Sequence, residues 1–207
     1  MKPLLWFVLG AIAFPVVVCL AGFLYMKTSA NGFSARAQPM AVEKFAAVQA
    51  RLMALPSNAR KKQNPVPDSP EVIAAGREHW ADHCATCHGN DGSGQTEFGK
   101  SMYPPAPNMR KRETQDMTDG ELFYVIENGV RLSGMPAWST GTAEGQESSW
   151  KLVRFIRHLP RLSPEEISAM EKLNPKTPDE LEEEQQEEQF LKGKPSNPSP
   201  SPTQHQH

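Results

Sequence analysis

Cysteine is scarce in this sequence, with three residues among 207. Cys84 and Cys87 lie close together, whereas Cys19 lies far upstream in an apolar run. A structural zinc site commonly needs a second pair of Cys or His ligands at similar spacing, and the remote Cys19 does not supply one. A disulfide between Cys84 and Cys87 would close a loop too short to add much stability. The scarcity of cysteine therefore argues against both common structural uses of a C-x-x-C pair.

An excess of charge of either sign is also lacking. The chain has 22 Lys and Arg against 24 Asp and Glu, a net charge of -2, and no basic stripe of the kind that binds nucleic acid. The hydrophobic share of 38% is low for a compact protein, and 19 prolines indicate that much of the length is linker and tail. Since domains centre near ~100 to 150 residues, we expect one modest domain with appendages.

The motif C-A-T-C-H at residues 84–88 is what the chain does contain. A thioredoxin-like dithiol would need a surrounding βαβ pattern, and no strand-rich unit surrounds this one. The spacing suits covalent haem attachment, because both thiols reach one edge of the macrocycle and can each add to a vinyl group. His88 then lies under the ring and can ligate the iron. The motif predicts one covalent haem c, bound through Cys84, Cys87 and His88.

This motif resembles that of a class I cytochrome c, and the resemblance extends over roughly residues 69 to 159. Gly76 and Trp80 look like the glycine and aromatic pair that packs against the C-terminal helix in that family. Residues 118–129 resemble the helix before the distal loop, and residues 134–138, G-M-P-A-W, resemble that loop. The resemblance implies an all-α, cytochrome c-like haem domain.

Met135 is the candidate for the sixth iron ligand. Gly134 and Pro136 keep it out of a helix and let the backbone bring its thioether to the iron. A filled sixth position gives an electron carrier, whereas an open one binds oxygen or peroxide. Met102 and Met109 also lie in a proline-rich loop, but the family motif falls on Met135.

Several other side chains have weaker claims on the haem. His79 and His83 lie on the attachment helix, poorly placed for the far face of the ring, and are expected as surface or propionate neighbours. His158 is a remote candidate for the iron. The remaining candidates, for hydrogen bonds to the propionates or for ordinary packing, are Tyr103, Arg131 and Trp138. In family terms the carbonyl of Pro104 or Pro105 would accept a hydrogen bond from His88.

The stretch from Leu4 to Met26 carries no charged side chain. About 20 apolar residues cross a bilayer, whereas a signal-peptide core typically has ~7 to 15, so we expect an uncleaved anchor. The alternative is a removed signal peptide, cleaved near Ala35-Arg36-Ala37. Flanking charges orient the anchor only weakly. Covalent haem attachment outside the cytoplasmic membrane, which the resemblance implies, places the C-terminal side at the periplasm or its equivalent.

Two patterns follow between the anchor and the haem motif. Residues 39–55 carry apolar side chains at three- and four-residue steps, which predicts a short amphipathic helix. This helix either packs on the interface of the anchor or on the next domain, or binds a partner or the membrane surface. Pro65, Pro67 and Pro70 then predict a semi-extended linker from Ser57 onward.

Helix starts are marked by capping residues. Helices are predicted to start at Ser69-Pro70, at a capping box of Thr118 and Glu121, and at the capped positions Ser163 and Thr177, with a further helix over Ser149 to His158. Gly129 is the predicted stop of the helix that starts at Thr118. The predicted organisation is a transmembrane anchor at 1–27, a linker with a short helix at 28–68, the haem domain at 69–160, a helical acidic extension at 161–191 and a disordered tail at 192–207.

The sequence predicts a one-electron carrier, not an enzyme, in the cytoplasmic membrane, with its haem domain facing the periplasm. Its expected partners are redox proteins, in a possible membrane complex, and no nucleic acid. The alternatives are a haem enzyme or gas sensor with an open iron position, and the subunit through which electrons enter a membrane oxidase or dehydrogenase.

Overall fold

The computed structural model describes residues 2–28, 34 and 37–192, and every regular element within these ranges is helical. The α-helices are α1 (Lys2–Thr28), α2 (Ala41–Ala54), α3 (Ser57–Lys61), α4 (Pro70–His79), α5 (Ala85–His88), α6 (Glu97–Ser101), α7 (Arg112–Gln115), α8 (Asp119–Asn128), α9 (Ala143–His158), α10 (Pro164–Glu171) and α11 (Pro178–Leu191). A π-helical turn, Trp80–Cys84, joins α4 to α5, and a 3₁₀ turn, Leu159–Arg161, follows α9. The all-α fold predicted from the sequence is confirmed.

Helix α1 carries no charged side chain between Lys2 and Lys27 and is exposed wherever its side chains are described. In the described part of the chain it is the one helix long and apolar enough to cross a membrane, over Pro3–Thr28. Cys19 is exposed on this helix, as expected of an apolar residue that faces lipid. The proposed cleavage site at Ala35-Arg36-Ala37 falls largely outside the described residues.

The centre of the haem domain is the crossing of α4 and α9. A Cβ atom built on Gly76 would lie 2.9 Å from the carbonyl carbon of Lys151 and 3.0 Å from Cβ of Phe155, so only glycine allows this approach. One turn later Trp80, 1% exposed, places its indole 5.6 Å from the Phe155 ring. The crossing predicted from Gly76 and Trp80 is confirmed.

Capping residues set most helix starts as the sequence predicts. Ser69 accepts a hydrogen bond from the Val72 N–H, and Thr118 and Glu121 form a reciprocal capping box at the start of α8. Helix α9 begins at Ala143, earlier than the predicted Ser149, because Thr142 caps it through the Gly145 N–H.

The buried core draws on residues on both sides of the predicted haem domain. Leu55 and Ala59 are buried upstream, and Met170 of α10 is fully buried downstream. The predicted semi-extended linker is wrong at Ser57–Lys61, which is helical, because the chain turns there to lay Ala59 against α8. The boundaries 69–160 remain a prediction, although contacts with the domain extend beyond them.

Helices α10 and α11 confirm the two capped starts predicted after residue 160. Ser163 and Glu166 form a capping box, and Glu166 also contacts His158 at 3.1 Å and Arg77 at 3.4 Å. These contacts hold α10 on the haem domain. Most of the disordered tail predicted for 192–207 lies outside the described residues.

Candidate functional site

The attachment motif lies at the end of the helix that carries the core crossing. The π-helical turn Trp80–Cys84 inserts an extra residue into the helical path, a feature often found at functional sites. Cys84 and Cys87 both carry free thiols, so they do not form the disulfide considered for this pair. Burial raises the pKa of Cys84 to about 12 and also raises the pKa of Cys87, so both thiols are protonated at neutral pH. Two unpaired neutral thiols at this spacing fit the covalent attachment of a haem.

The imidazole of His88 is suited to bind a metal. Burial lowers the pKa of His88 to about 4, so the ring is neutral and keeps a lone pair at physiological pH. Its Nδ1 atom is buried and has no hydrogen-bond partner among the described residues. The predicted hydrogen bond to the carbonyl of Pro104 or Pro105 is therefore not formed. A buried imidazole nitrogen without a partner carries a desolvation cost that an added ligand or hydrogen bond removes.

Hydrogen bonds from the loop that follows the attachment motif fix the backbone of the motif. Thr96 Oγ1 donates to the Cys87 carbonyl at 3.1 Å, and the Gly94 N–H donates to the His88 carbonyl at 2.7 Å. Gly99 packs directly on the Cys87 carbonyl oxygen, where a Cβ atom would not fit. The loop after the motif thereby holds both Cys87 and His88 in place.

The indole of Trp80 links this loop to the core. Its Nε1 donates to the Gly89 carbonyl at 3.0 Å, and its ring centroid lies 5.7 Å from that of His88. The tryptophan that packs on α9 therefore also supports the histidine of the motif. The sequence placed Trp80 in the helix crossing but gave no sign of this second role.

Met135 lies in a tight loop after α8. The Val130 N–H donates to the Met135 carbonyl at 3.1 Å, and the Met135 N–H donates to Ser133 Oγ at 3.2 Å. Gly129 ends α8 with a positive φ of 66° and packs on the Met135 carbonyl, as its predicted role as the helix stop requires. Leu132 also has a positive φ, at 60°, and is 92% exposed. The loop thus fixes the backbone of Met135 while its side chain stays half-buried.

Two contacts bring the Met135 loop to the attachment side of the domain. The indole of Trp138 meets the His83 ring edge to face at 5.5 Å, directly beside Cys84. The Met102 sulfur lies 2.5 Å from the position that a Cβ atom on Gly134 would take, so Met102 packs against the residue before Met135. The family motif favours Met135 over Met102, and the sequence does not show that the loop of Met102 meets the loop of Met135.

The other predicted candidates fall into different surroundings. Met109 is buried in the core, and His158 contacts Glu166 on α10. The ring centroids of His79 and His83 are 4.8 Å apart on the surface of the attachment helix. Tyr103 donates a hydrogen bond to Glu43 of α2. Arg131 is exposed and forms no ion pair among the described residues.

Exposed apolar side chains accompany the two sulfur-bearing loops. Phe98 precedes Gly99 in α6, Tyr103 follows Met102, and Leu132 and Trp138 flank Met135, all of them exposed. Exposed apolar side chains on the loops that precede and contain Met135 fit contact with a large apolar macrocycle. No group of three or more His, Cys, Asp or Glu that could hold a metal ion occurs in the ranges 2–28 and 37–192.

A comparison with family models finds a match over residues 71–156 to the family described as cytochrome C oxidase, cbb3-type, subunit III. The matched range begins in α4, contains the motif at 84–88 and the loop at 134–138, and ends in α9. The match covers the same elements whose packing forms the site.

Proposed function

We propose that this chain carries single electrons at a membrane, on the premise that residues 71–156 form a c-type cytochrome domain, which binds haem c covalently. Haem-based electron transfer is the function that this domain supports. The iron supplies the redox chemistry by exchanging one electron between its ferrous and ferric states. Beyond haem-based electron transfer, we propose which residues ligate the iron, on which side of the membrane the haem domain lies and what role the chain has.

Cys84 and Cys87 are the proposed attachment residues, and His88 is the proposed first axial ligand. The observation that carries this assignment is the combination, within the matched range, of two free thiols and a half-buried, neutral His88 whose buried Nδ1 atom has no partner among the described residues. Thr96 and Gly99 hold the motif backbone, so these residues would limit the movement of the ligand when the charge of the site changes.

Met135 is the proposed second axial ligand. Its backbone is fixed by Val130 and Ser133, and its loop meets the attachment side through Trp138 and His83. As a ligand of the iron, the Met135 thioether would favour the reduced state and would keep small ligands from the iron, both of which suit an electron carrier rather than an oxygen-binding enzyme.

The proposed location is the cytoplasmic membrane, with α1 as a single-pass anchor and the haem domain on the periplasmic side. Helix α1 has the length and composition of a membrane span. Since the matched family is described as a subunit of a cytochrome oxidase, we also propose that the chain works with redox partners in a membrane complex. The boundaries at residues 27, 68, 160 and 191 remain predictions, and the core contacts of Leu55, Ala59 and Met170 extend beyond the range 69–160.

Paired substitutions test the proposed ligation. Met135→Ala should leave the haem covalently bound but open the sixth position, which lowers the reduction potential and lets carbon monoxide bind the reduced protein rapidly. Met102→Ala is the matched control, because Met102 contacts the same loop through Gly134. If Met102→Ala opens the iron and Met135→Ala does not, the ligand assignment is wrong. Rapid carbon monoxide binding by the wild type would favour the open-iron alternative.

A further inference from the structure

Helix α2 exposes a set of large apolar side chains. Val42, Phe45 and Met53 are 69%, 65% and 78% exposed. On the same helix Leu52 is half-buried, and Leu55, just after its end, is buried in the core. At 100° per residue, these five residues span a continuous arc of about 160°. The haem domain covers one edge of this arc and leaves the remainder open.

The edge of α2 that the haem domain covers, at Leu52 and Leu55, is joined to the domain by residues 52–66, which we call the strap. Arg60 Nε donates to Glu121 at 2.8 Å, and Arg60 Nη2 donates to the Leu52 carbonyl at 3.1 Å. Gly120 packs directly on the backbone of α3. A Cβ atom on Gly120 would overlap the Ala59 carbonyl oxygen and would lie 2.8 Å from the Lys62 carbonyl oxygen. The start of α8 therefore fixes α3 and the end of α2.

The second half of the strap is held by α9. Arg154 donates twice to the Val66 carbonyl, at 3.0 and 2.7 Å, and Asn64 Nδ2 donates to the Trp150 carbonyl at 3.0 Å. With both halves held, the orientation of α2 relative to the haem domain is set by many contacts rather than by a flexible linker.

The membrane is within reach of the open part of the arc. Helix α1 ends at Thr28 and α2 begins at Ala41, a connection that extends to about 45 Å at most. A bilayer that holds α1 therefore lies within about 45 Å of the start of α2, and its interfacial region accepts the apolar face of a helix to a depth of ~5 to 10 Å. The bilayer surface is the apolar medium that the chain's own anchor keeps beside this helix.

We propose that α2 lies in the lipid–water interface with Val42, Phe45 and Met53 directed toward the acyl chains. This inference rests on the proposed anchoring by α1. The strap then holds the haem domain against the membrane instead of letting it move on a long tether. Because Tyr103 donates to Glu43 on α2, the loop beside Met102 is held near the membrane surface, where a membrane-bound redox partner would exchange electrons.

Spin labelling of the full-length holoprotein in lipid vesicles tests this placement. Once Cys84 and Cys87 are bound to haem, Cys19 is the remaining free thiol, and its label reports on the anchor itself. In a Cys19→Ser background, Phe45→Cys places the label on the open arc, and Ala47→Cys places it on the opposite side of the same helix. Both positions are exposed, so neither label disturbs the core.

The measurement is the ratio of collision rates with oxygen, which concentrates in lipid, and with a water-soluble nickel chelate. We expect this ratio to be several-fold higher at position 45 than at position 47, and to fall to the value at 47 when the protein is studied without lipid or detergent. A lipid-like ratio at Cys19 with a water-like ratio at both 45 and 47 would overturn the proposal while leaving the anchor intact. It would leave the open arc as a surface for a protein partner. A water-like ratio at Cys19 would refute the anchor and this proposal together.

Discussion

The substitution Gly76→Ala tests the close crossing of α4 and α9, which positions the attachment motif. A methyl group at position 76 would lie 2.9 Å from the Lys151 carbonyl carbon and 3.0 Å from the Phe155 Cβ atom. Both are parts of α9 that no side-chain rotation can move, so α4 and α9 would have to separate. Overpacking of this kind costs about 1 to 3 kcal/mol, and the backbone contact places Gly76 near the upper end.

Alanine also stabilises a helix by about 1 kcal/mol relative to glycine, so the expected net loss of unfolding free energy is about 2 kcal/mol. Urea unfolding of the holoprotein, followed by circular dichroism, measures this loss. Ala75→Gly is the matched control on the same helix and should lose about 1 kcal/mol through helix propensity alone. If Gly76→Ala were as stable as the wild type, or about 1 kcal/mol more stable, the close crossing would be refuted.

Two further predictions concern the segments that flank the domain. Gly120→Ala should displace Ala59 from α8, so hydrogen exchange in residues 57–66 should quicken severalfold while exchange in the α4–α9 crossing stays slow; unchanged exchange in the strap would contradict the packing. The pKa of Glu166 is lowered, first by the hydrogen bond from the Ser163 N–H and then by His158. The Glu166 carboxylate therefore stabilises α10 fully at a pH above its ordinary pKa. This stabilisation is lost as the pH falls through the lower pKa of the folded state. The protection of the α10 amides against hydrogen exchange, expressed relative to the intrinsic exchange rate at each pH, should therefore fall at acid pH, and Glu166→Gln should remove this dependence; a protection profile unaltered by the substitution would refute the assignment.

The sequence predicted those helix ends that are set by contacts between residues a few positions apart. Ser69, the capping box of Thr118 and Glu121, and the helix stop at Gly129 all act on neighbouring backbone, so their effects are visible in sequence order. The close approach at Gly76 was also predictable, because a glycine inside a helix is costly unless another element needs the space.

Contacts between distant segments could not be predicted in this way. Residues 57–66 of the strap fall in the stretch predicted as a semi-extended linker. Nothing near Arg60 shows that Glu121 will accept its hydrogen bond, since Glu121 already has a local role in a capping box. The meeting of Met102 with Gly134 and the burial of Met170 depend likewise on how remote elements pack. The ligands Cys84, Cys87, His88 and Met135 remain predictions from motif and resemblance, which the geometry of the site supports.

The central claim is that Cys84 and Cys87 hold one haem covalently. Intact-mass measurement after extraction with acid and organic solvent tests it most directly, with the Cys84→Ser, Cys87→Ser double variant as the control. If the two thiols hold the haem, the wild-type mass equals that of the polypeptide plus one haem, and the double variant releases all its haem. A wild-type protein that loses its haem to the solvent and shows the mass of the polypeptide alone would refute covalent attachment.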